Sequence, residues 1–165
     1  IVEFKTQRVE KIIENLKAGV YRQENPIQVL EKASHIYPEP EIFFIEGQLF
    51  LFIFDQTSNI EFAENAIAAY KKAIELNPYS TQYHRALAKT LARINRNSEA
   101  EKEFLEVIKI YPTKALYNLE LGLFYKKIGK QQLAKFYIER AKNLPASSID
   151  EAKIINQECK NGKDF

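Results

Sequence analysis

Methionine is absent from this 165-residue chain, cysteine occurs once, histidine twice and glycine five times. The lone Cys159 has no partner for an internal disulfide, supplies no metal site by itself, and leaves the redox compartment open. His35 and His84 lie far apart, with neither a second histidine at i+4 nor a nearby cysteine, which argues against metal ligation. The few glycines never form a phosphate-cradling loop. Long apolar runs are missing as well, since no stretch reaches the roughly 18 consecutive apolar residues that a membrane span needs. The longest one, within EIFFIEGQLFLFIF, is interrupted by Glu46. The N-terminal stretch IVEFKTQRVEKIIENLKAG mixes charge with apolar residues from its third position, unlike a secretory signal. A chain that opens at Ile1 and holds no methionine is expected to be a piece of something longer. An excess of one charge is also lacking: the net +2 is too small for a general binder of nucleic acid or acidic membrane.

What the chain has is repetition. AIAAYKKAIELNP ending at Pro78, AEKEFLEVIKIYP ending at Pro112 and LAKFYIERAKNLP ending at Pro145 superimpose at spacings of 34 and 33 residues, and a weaker copy, PIQVLEKASHIYP, ends at Pro38. Each has small or apolar residues at helical spacing, then an aromatic, then a proline that stops the helix because it cannot donate the next backbone hydrogen bond. The segments between them, STQYHRALAKTLARIN and KALYNLELGLFYKKIGK, are the first helices of helical hairpins. Gly122 removes a side chain where two helices must approach closely. No sustained two-residue alternation with turn signals marks a strand, so the fold class is all-α.

These residues resemble the tetratricopeptide repeat (TPR), a pattern of about 34 residues with a large residue, Leu-Gly, Tyr, Ala, an aromatic, Ala and Pro. Leu87, Ala88, Leu91, Ala100, Phe104 and Pro112 carry the resemblance over residues 81–114. Leu121, Gly122, Tyr125, Ala134 and Ala141 carry it over 115–147, with the proline one place early. Residues 40–80 match through Gly47, Phe50, Ala66, Tyr70, Ala73 and Pro78, but about seven extra residues separate the halves and Glu46 stands where the family has Leu. The expectation there is a first helix longer by about a turn, a connection around Asp55 to Asn59, and a Ser58-x-x-Glu61 capping box for the next helix. Residues 1–39 are expected to form a degenerate helical pair, Gly19 ending the first helix and Pro26 opening the second. Residues 148–165 are expected to form a capping helix opened by Ser148-x-x-Glu151, then a frayed tail. The resemblance implies a single domain, a right-handed α-solenoid of about nine helices.

A helix that is apolar all round is buried all round, so IFFIEGQLFLFIF is expected to be mainly core. Its far end, Phe52 and Phe54 with Ile53, would form an apolar patch if carried past its neighbours. Charge is unevenly spread: residues 41–80 hold two Lys against six acids, a net of −4, and residues 81–148 hold thirteen Lys and Arg against six Glu, a net of +7. Within that basic block Arg85, Lys89 and Arg93 recur at i, i+4 and i+8 and share one helix face. The resemblance implies that such first-helix positions line a concave groove, with Phe44, Gln48 and Leu51 on one side of the stripe and Leu119, Leu123 and Lys127 on the other. The family's carboxylate-clamp variant uses Asn at matched positions, where this chain has Gln48 and Ala86. Glu99, Glu101, Glu103 and Glu106 are expected on a solvent face.

The expected function is a non-catalytic module that binds a peptide or protein segment, acidic with apolar anchors. No catalytic residue, cofactor or metal is expected, no membrane insertion by this segment, and no assignment to a compartment. Three other readings stay open. The repeats resemble soluble periplasmic tails of bacterial membrane glycosyltransferases of the O-antigen ligase or polymerase type. RNA binding would need Tyr83 and Tyr117 free to stack beside the basic stripe, and nucleic acid is not the expected partner. Self-association could pair the acidic middle with the basic C-terminal half.

Overall fold

The computed structural model describes residues 38–161, together with Gln28 and His35, and side chains as far as residue 157. The degenerate pair expected over residues 1–39, with Gly19 and Pro26, lies outside the described residues, as do the side chain of Cys159 and the tail. The described part is helical throughout. Its seven helices are α1 (Pro40–Thr57), α2 (Ile60–Leu76), α3 (Thr81–Arg93), α4 (Asn97–Ile110), α5 (Ala115–Lys127), α6 (Gln131–Asn143) and α7 (Ile149–Asn161). Contacts divide the chain into two compact units, Ile1–Tyr83 and His84–Phe165.

The repeat spacing is the spacing of the core. Ala66, Tyr70 and Ala73 on α2, Ala100, Phe104 and Val107 on α4, and Ala134, Ile138 and Ala141 on α6 are all buried. Each set follows helical periodicity, small residues flanking or neighbouring one large side chain. Each second helix stops two residues before its proline. Asn77 and Tyr111 close α2 and α4 by donating N–H to the carbonyls of Ala73 and Val107, both at 3.0 Å, and Pro78 and Pro112 then prevent continuation.

In the first unit, α1 begins with Pro40 in its first turn, where a missing N–H costs nothing. Seven of its residues are buried: Ile42, Phe43, Phe44, Ile45, Gly47, Leu49 and Phe50. Gly47 is required by the α1–α2 contact, because a Cβ built there would lie 2.4 Å from the ring of the buried Tyr70. The helix runs on to Thr57, past the expected connection at Asp55. It ends because Ser58 takes a left-handed conformation (φ 55°) and donates its N–H to Phe54 O at 2.7 Å. Ser58 therefore closes α1 and does not cap α2, contrary to the expected capping box. Asn59 is the N-cap, its Oδ1 accepting from Glu61 N at 3.0 Å.

In the second unit the two hairpin turns are the same motif one repeat apart. Asn95 (φ 62°) and Gly129 (φ 78°) occupy the left-handed position after the first helix. Arg96 N reaches Leu91 O and Lys130 N reaches Tyr125 O, each at 2.9 Å, the six-to-one bond of a Schellman ending. Gly122 lets α6 pack against α5, since a Cβ there would meet Ile138 Cγ1 at 2.7 Å and its backbone N at 3.0 Å. Ala115, Leu119, Ile138, Ala141 and Ile155 form one buried cluster that joins α5, α6 and α7. α7 packs through Ile155 into this cluster, and Ser148 Oγ accepts from Glu151 N at 3.1 Å.

Candidate functional site

The second unit holds a cleft of about 540 Å³ between α3, α5 and α7. Helical spacing builds its long wall: Leu116, Leu119, Glu120, Leu123 and Lys127 fall at i, i+3, i+4, i+7 and i+11 of α5 and share one face. Lys89, Ala92 and Arg93 contribute from α3, Phe104 from below, and Ile154 from α7. The floor is apolar and the rim carries three cations and one carboxylate. Of the nine residues expected in the groove, Lys89, Arg93, Leu119, Leu123 and Lys127 line this cleft.

The remaining four do not join them. Phe44 is core, its ring centroid 5.8 Å from that of Tyr70 and 5.1 Å from that of Tyr83, so it presents no surface to a ligand. Gln48 is exposed and Leu51 half-buried, both in the first unit. Arg85 is turned to Glu120, outside the lining. At the end of α1, Phe52 is 59% exposed, whereas Ile53 and Phe54 are half-buried.

The basic stripe is answered from within. Glu120 Oε1 accepts from Arg85 Nη2 and Lys89 Nζ, each at 2.6 Å, and Oε2 accepts from Arg85 Nε at 2.7 Å. The Arg85 guanidinium also lies 4.8 Å from the centroid of the Tyr117 ring, which uses that ring's face. The hydrogen bond to Glu120 holds Arg85 above its ordinary value against the opposing effect of burial. Burial alone would raise Glu120, but the hydrogen bonds and charges of Arg85 and Lys89 outweigh it and leave the carboxyl below the usual range. Arg85 and Lys89 thus share one anion, in place of the open stripe drawn from spacing. Lys127 donates to Ala92 O at 3.0 Å, so its positive charge meets a helix C-terminal carbonyl and no carboxylate in that bond.

Three further polar clusters of this unit were not revealed by spacing alone. Glu151, 5% exposed, accepts from Leu116 N at 2.9 Å, Ser147 N at 2.8 Å and Lys114 Nζ at 3.0 Å, and from the Ser147 hydroxyl. Burial opposes ionisation, yet these bonds, led by Ser147 and Lys114, bring the carboxyl down to about 2. One buried carboxylate therefore ties the start of α5 to α7, which supplies the Ile154 wall. Tyr125 Oη donates to Glu101 Oε1 at 3.0 Å and Lys130 Nζ bonds Glu101 Oε2 at 2.6 Å. Burial and then Glu101 push the Tyr125 phenol well above its usual value. Glu103 faces the buried His84 ring at 2.6 Å. Glu101 and Glu103 are thus links to other helices, not members of a solvated face; only Glu99, with Arg96, and Glu106, with Lys109, pair within α4 or at its start.

Among the described residues no group of three or more His, Cys, Asp and Glu side chains could hold a metal ion, and no helix is long and apolar enough to cross a membrane.

Residues 63–80 and 115–147 match the family described as tetratricopeptide repeat. A TPR repeat-containing thioredoxin of Arabidopsis thaliana, TTL4, is 33% identical over 73 residues, 44% of this chain and 11% of that protein, so the chain spans about one-ninth of its length. Among solved structures, TTC0263, a thermophilic TPR protein of Thermus thermophilus, is similar at TM-score 0.71 and 15% identity, over 90% of this chain and 78% of that one. MamA is similar at TM-score 0.65 and 19% identity, over 92% and 85%. YrrB, described as a TPR protein with an unusual peptide-binding site, is similar at TM-score 0.65 and 19% identity, over 89% and 69%. Residues 63–80 and 115–147 are thus similar in sequence to the tetratricopeptide repeat, and the fold is that of solved TPR proteins.

Proposed function

We propose that the chain is a non-catalytic interaction module that takes a segment of a partner protein in the cleft between α3, α5 and α7. The observation that carries this reading is the apolar-floored cleft of about 540 Å³ rimmed by Lys89, Arg93 and Lys127. Clefts of this size suit a few anchoring side chains, not a whole folded partner, and their apolar floor supplies affinity while the rim supplies orientation. Leu123 and Leu116 are the proposed apolar contacts. Arg93 and Lys127, at the end of the cleft away from Glu120, are the proposed contacts for an acidic residue of the segment. The description of YrrB as a peptide binder supports the same class of function.

Peptide display on the 165-residue chain tests this. Enriched peptides should carry apolar anchors, and Leu123→Glu should reduce their binding about tenfold or more by placing a charge on the apolar floor, with the helical circular dichroism unchanged. Enrichment that survives Leu123→Glu would sink the assignment to this cleft.

A further inference from the structure

The cleft already contains a carboxylate in the place where the basic stripe would have received one from a partner. Glu120 is only 13% exposed at its side chain, Arg85 24% and Lys89 50%. Both Glu120 oxygens are engaged, by the fork of Arg85 and by Lys89, with all three distances between 2.6 and 2.7 Å. This is the two-point geometry by which a guanidinium grips a free carboxylate or phosphate. Glu120 and Lys89 also belong to the lining of the cleft, so the pair stands at the ligand's edge and not in a remote core.

We infer that Glu120 is a specificity-determining residue of the cleft, an internal occupant of the anion seat formed by Arg85 and Lys89. This rests on the reading of the cleft as a ligand site. Because Glu120 is held on α5 beside the seat, a ligand carboxylate must compete with a tethered rival at high effective concentration. Moreover, seating a second carboxylate beside Glu120 sets like charges together, which costs binding. The cleft therefore accepts apolar segments whose acidic groups lie toward Arg93 and Lys127, and rejects those that place an acid opposite Arg85.

Glu120→Gln keeps the shape and removes the rival charge. With inorganic phosphate as probe and the Arg85 Nε–Hε resonance as readout, the wild-type chain should show no saturable shift. Glu120→Gln should show one, and Glu120→Gln/Lys89→Ala should lose most of it. If Glu120→Gln unfolds, Glu120→Asp carries the test, because it keeps the charge but withdraws it by one methylene and should show the same gain, smaller. Equal phosphate binding by wild type and the folded variant, or none by either variant, would overturn the inference. In a second arm, peptides with an acid at the position nearest Arg85 should bind Glu120→Gln about tenfold tighter than wild type. An unchanged preference would also overturn it. The phosphate arm does not depend on peptide binding, so a chain that enriches no peptide would sink the segment reading while leaving the anion-seat result to stand or fall by itself.

Discussion

Among the described residues, the two units are built from the same kind of hairpin, and the contacts that join the helices differ in chemistry between them. In the first, α1 and α2 meet through shape: the Gly47 notch receives Tyr70, Phe44 lies among Tyr70 and Tyr83, and Phe50 stacks on Phe62 at 6.4 Å. Among the described residues of this unit, Tyr83 Oη donates to Glu41 at 2.9 Å. Burial, followed by that carboxylate, pushes the phenol up to about 12. In the second unit, buried and half-buried carboxylates do much of the joining: Glu120 to α3, Glu101 to Tyr125 and Lys130, and Glu151 between the start of α5 and α7. The difference shows that one repeat scaffold can be joined by either kind of contact. A dry aromatic contact fixes a hairpin with little dependence on solution conditions, whereas polar ties make helix docking depend on pH.

The largest expected effect falls on the aromatic unit. Tyr70→Ala removes the buried ring opposite Gly47 and should cost about 3–5 kcal/mol, read as loss of amide-exchange protection in α1 and α2. Next comes Glu151→Gln, expected to cost about 2–3 kcal/mol because it weakens several charge-assisted bonds at once. Faster exchange should then concentrate in α7 and the first turn of α5. The same carboxyl sets an acid dependence. Its folded value lies below its unfolded one near 4.5, so its contribution is fully present above pH about 4.5 and is lost as pH falls toward about 2. Exchange in α7 should rise across that window in wild type, and the rise should shrink in Glu151→Gln.

Gly122→Ala sharpens the comparison from the other side. The added Cβ would meet Ile138 Cγ1 and N, an overpacking cost of about 1–3 kcal/mol, against a helix-propensity gain of about 1 kcal/mol over Gly. A net loss near 1 kcal/mol in thermal unfolding is expected from that difference, and a net gain would show that α6 can move away freely. The smallest effect is predicted for Lys109→Ala. Its pairing with Glu106 at 3.1 Å is solvent-exposed and within one helix, so stability should change by less than about 0.5 kcal/mol.

The hairpins were legible from local signals. Pro78, Pro112 and Pro145 end helices by backbone chemistry that needs no tertiary context, and the Ala66/Tyr70/Ala73 pattern with its two copies is the core itself. The capping residue at 59 was harder, because Ser58 and Asn59 can each serve and only the backbone at Ser58 decides. The site was half legible. Helical spacing found the α5 face and the α3 stripe, but spacing within a helix cannot say that Arg85 has a partner 35 residues away. A 34-residue repeat places residues one repeat apart on neighbouring first helices, and Arg85 with Glu120, like Ala92 with Lys127, is separated by 35 residues. Opposite charges at the repeat period plus one were thus the available signal for the pair. Glu151 left a weaker trace: its capping box with Ser148 was readable, whereas its grip on Leu116 N depends on how α7 docks.

The cleft reading faces its most direct test in a map of ligand contacts. A peptide enriched on the wild-type chain should be titrated into the isotope-labelled protein and followed by amide and side-chain NMR shifts. The largest shifts should fall on Lys89, Arg93, Leu116, Leu123 and Lys127, with little change at Phe52 or on the exposed face of α6 around Phe136. Shifts centred on Phe52 or Phe136, with the α3–α5–α7 cleft silent, would contradict the cleft reading.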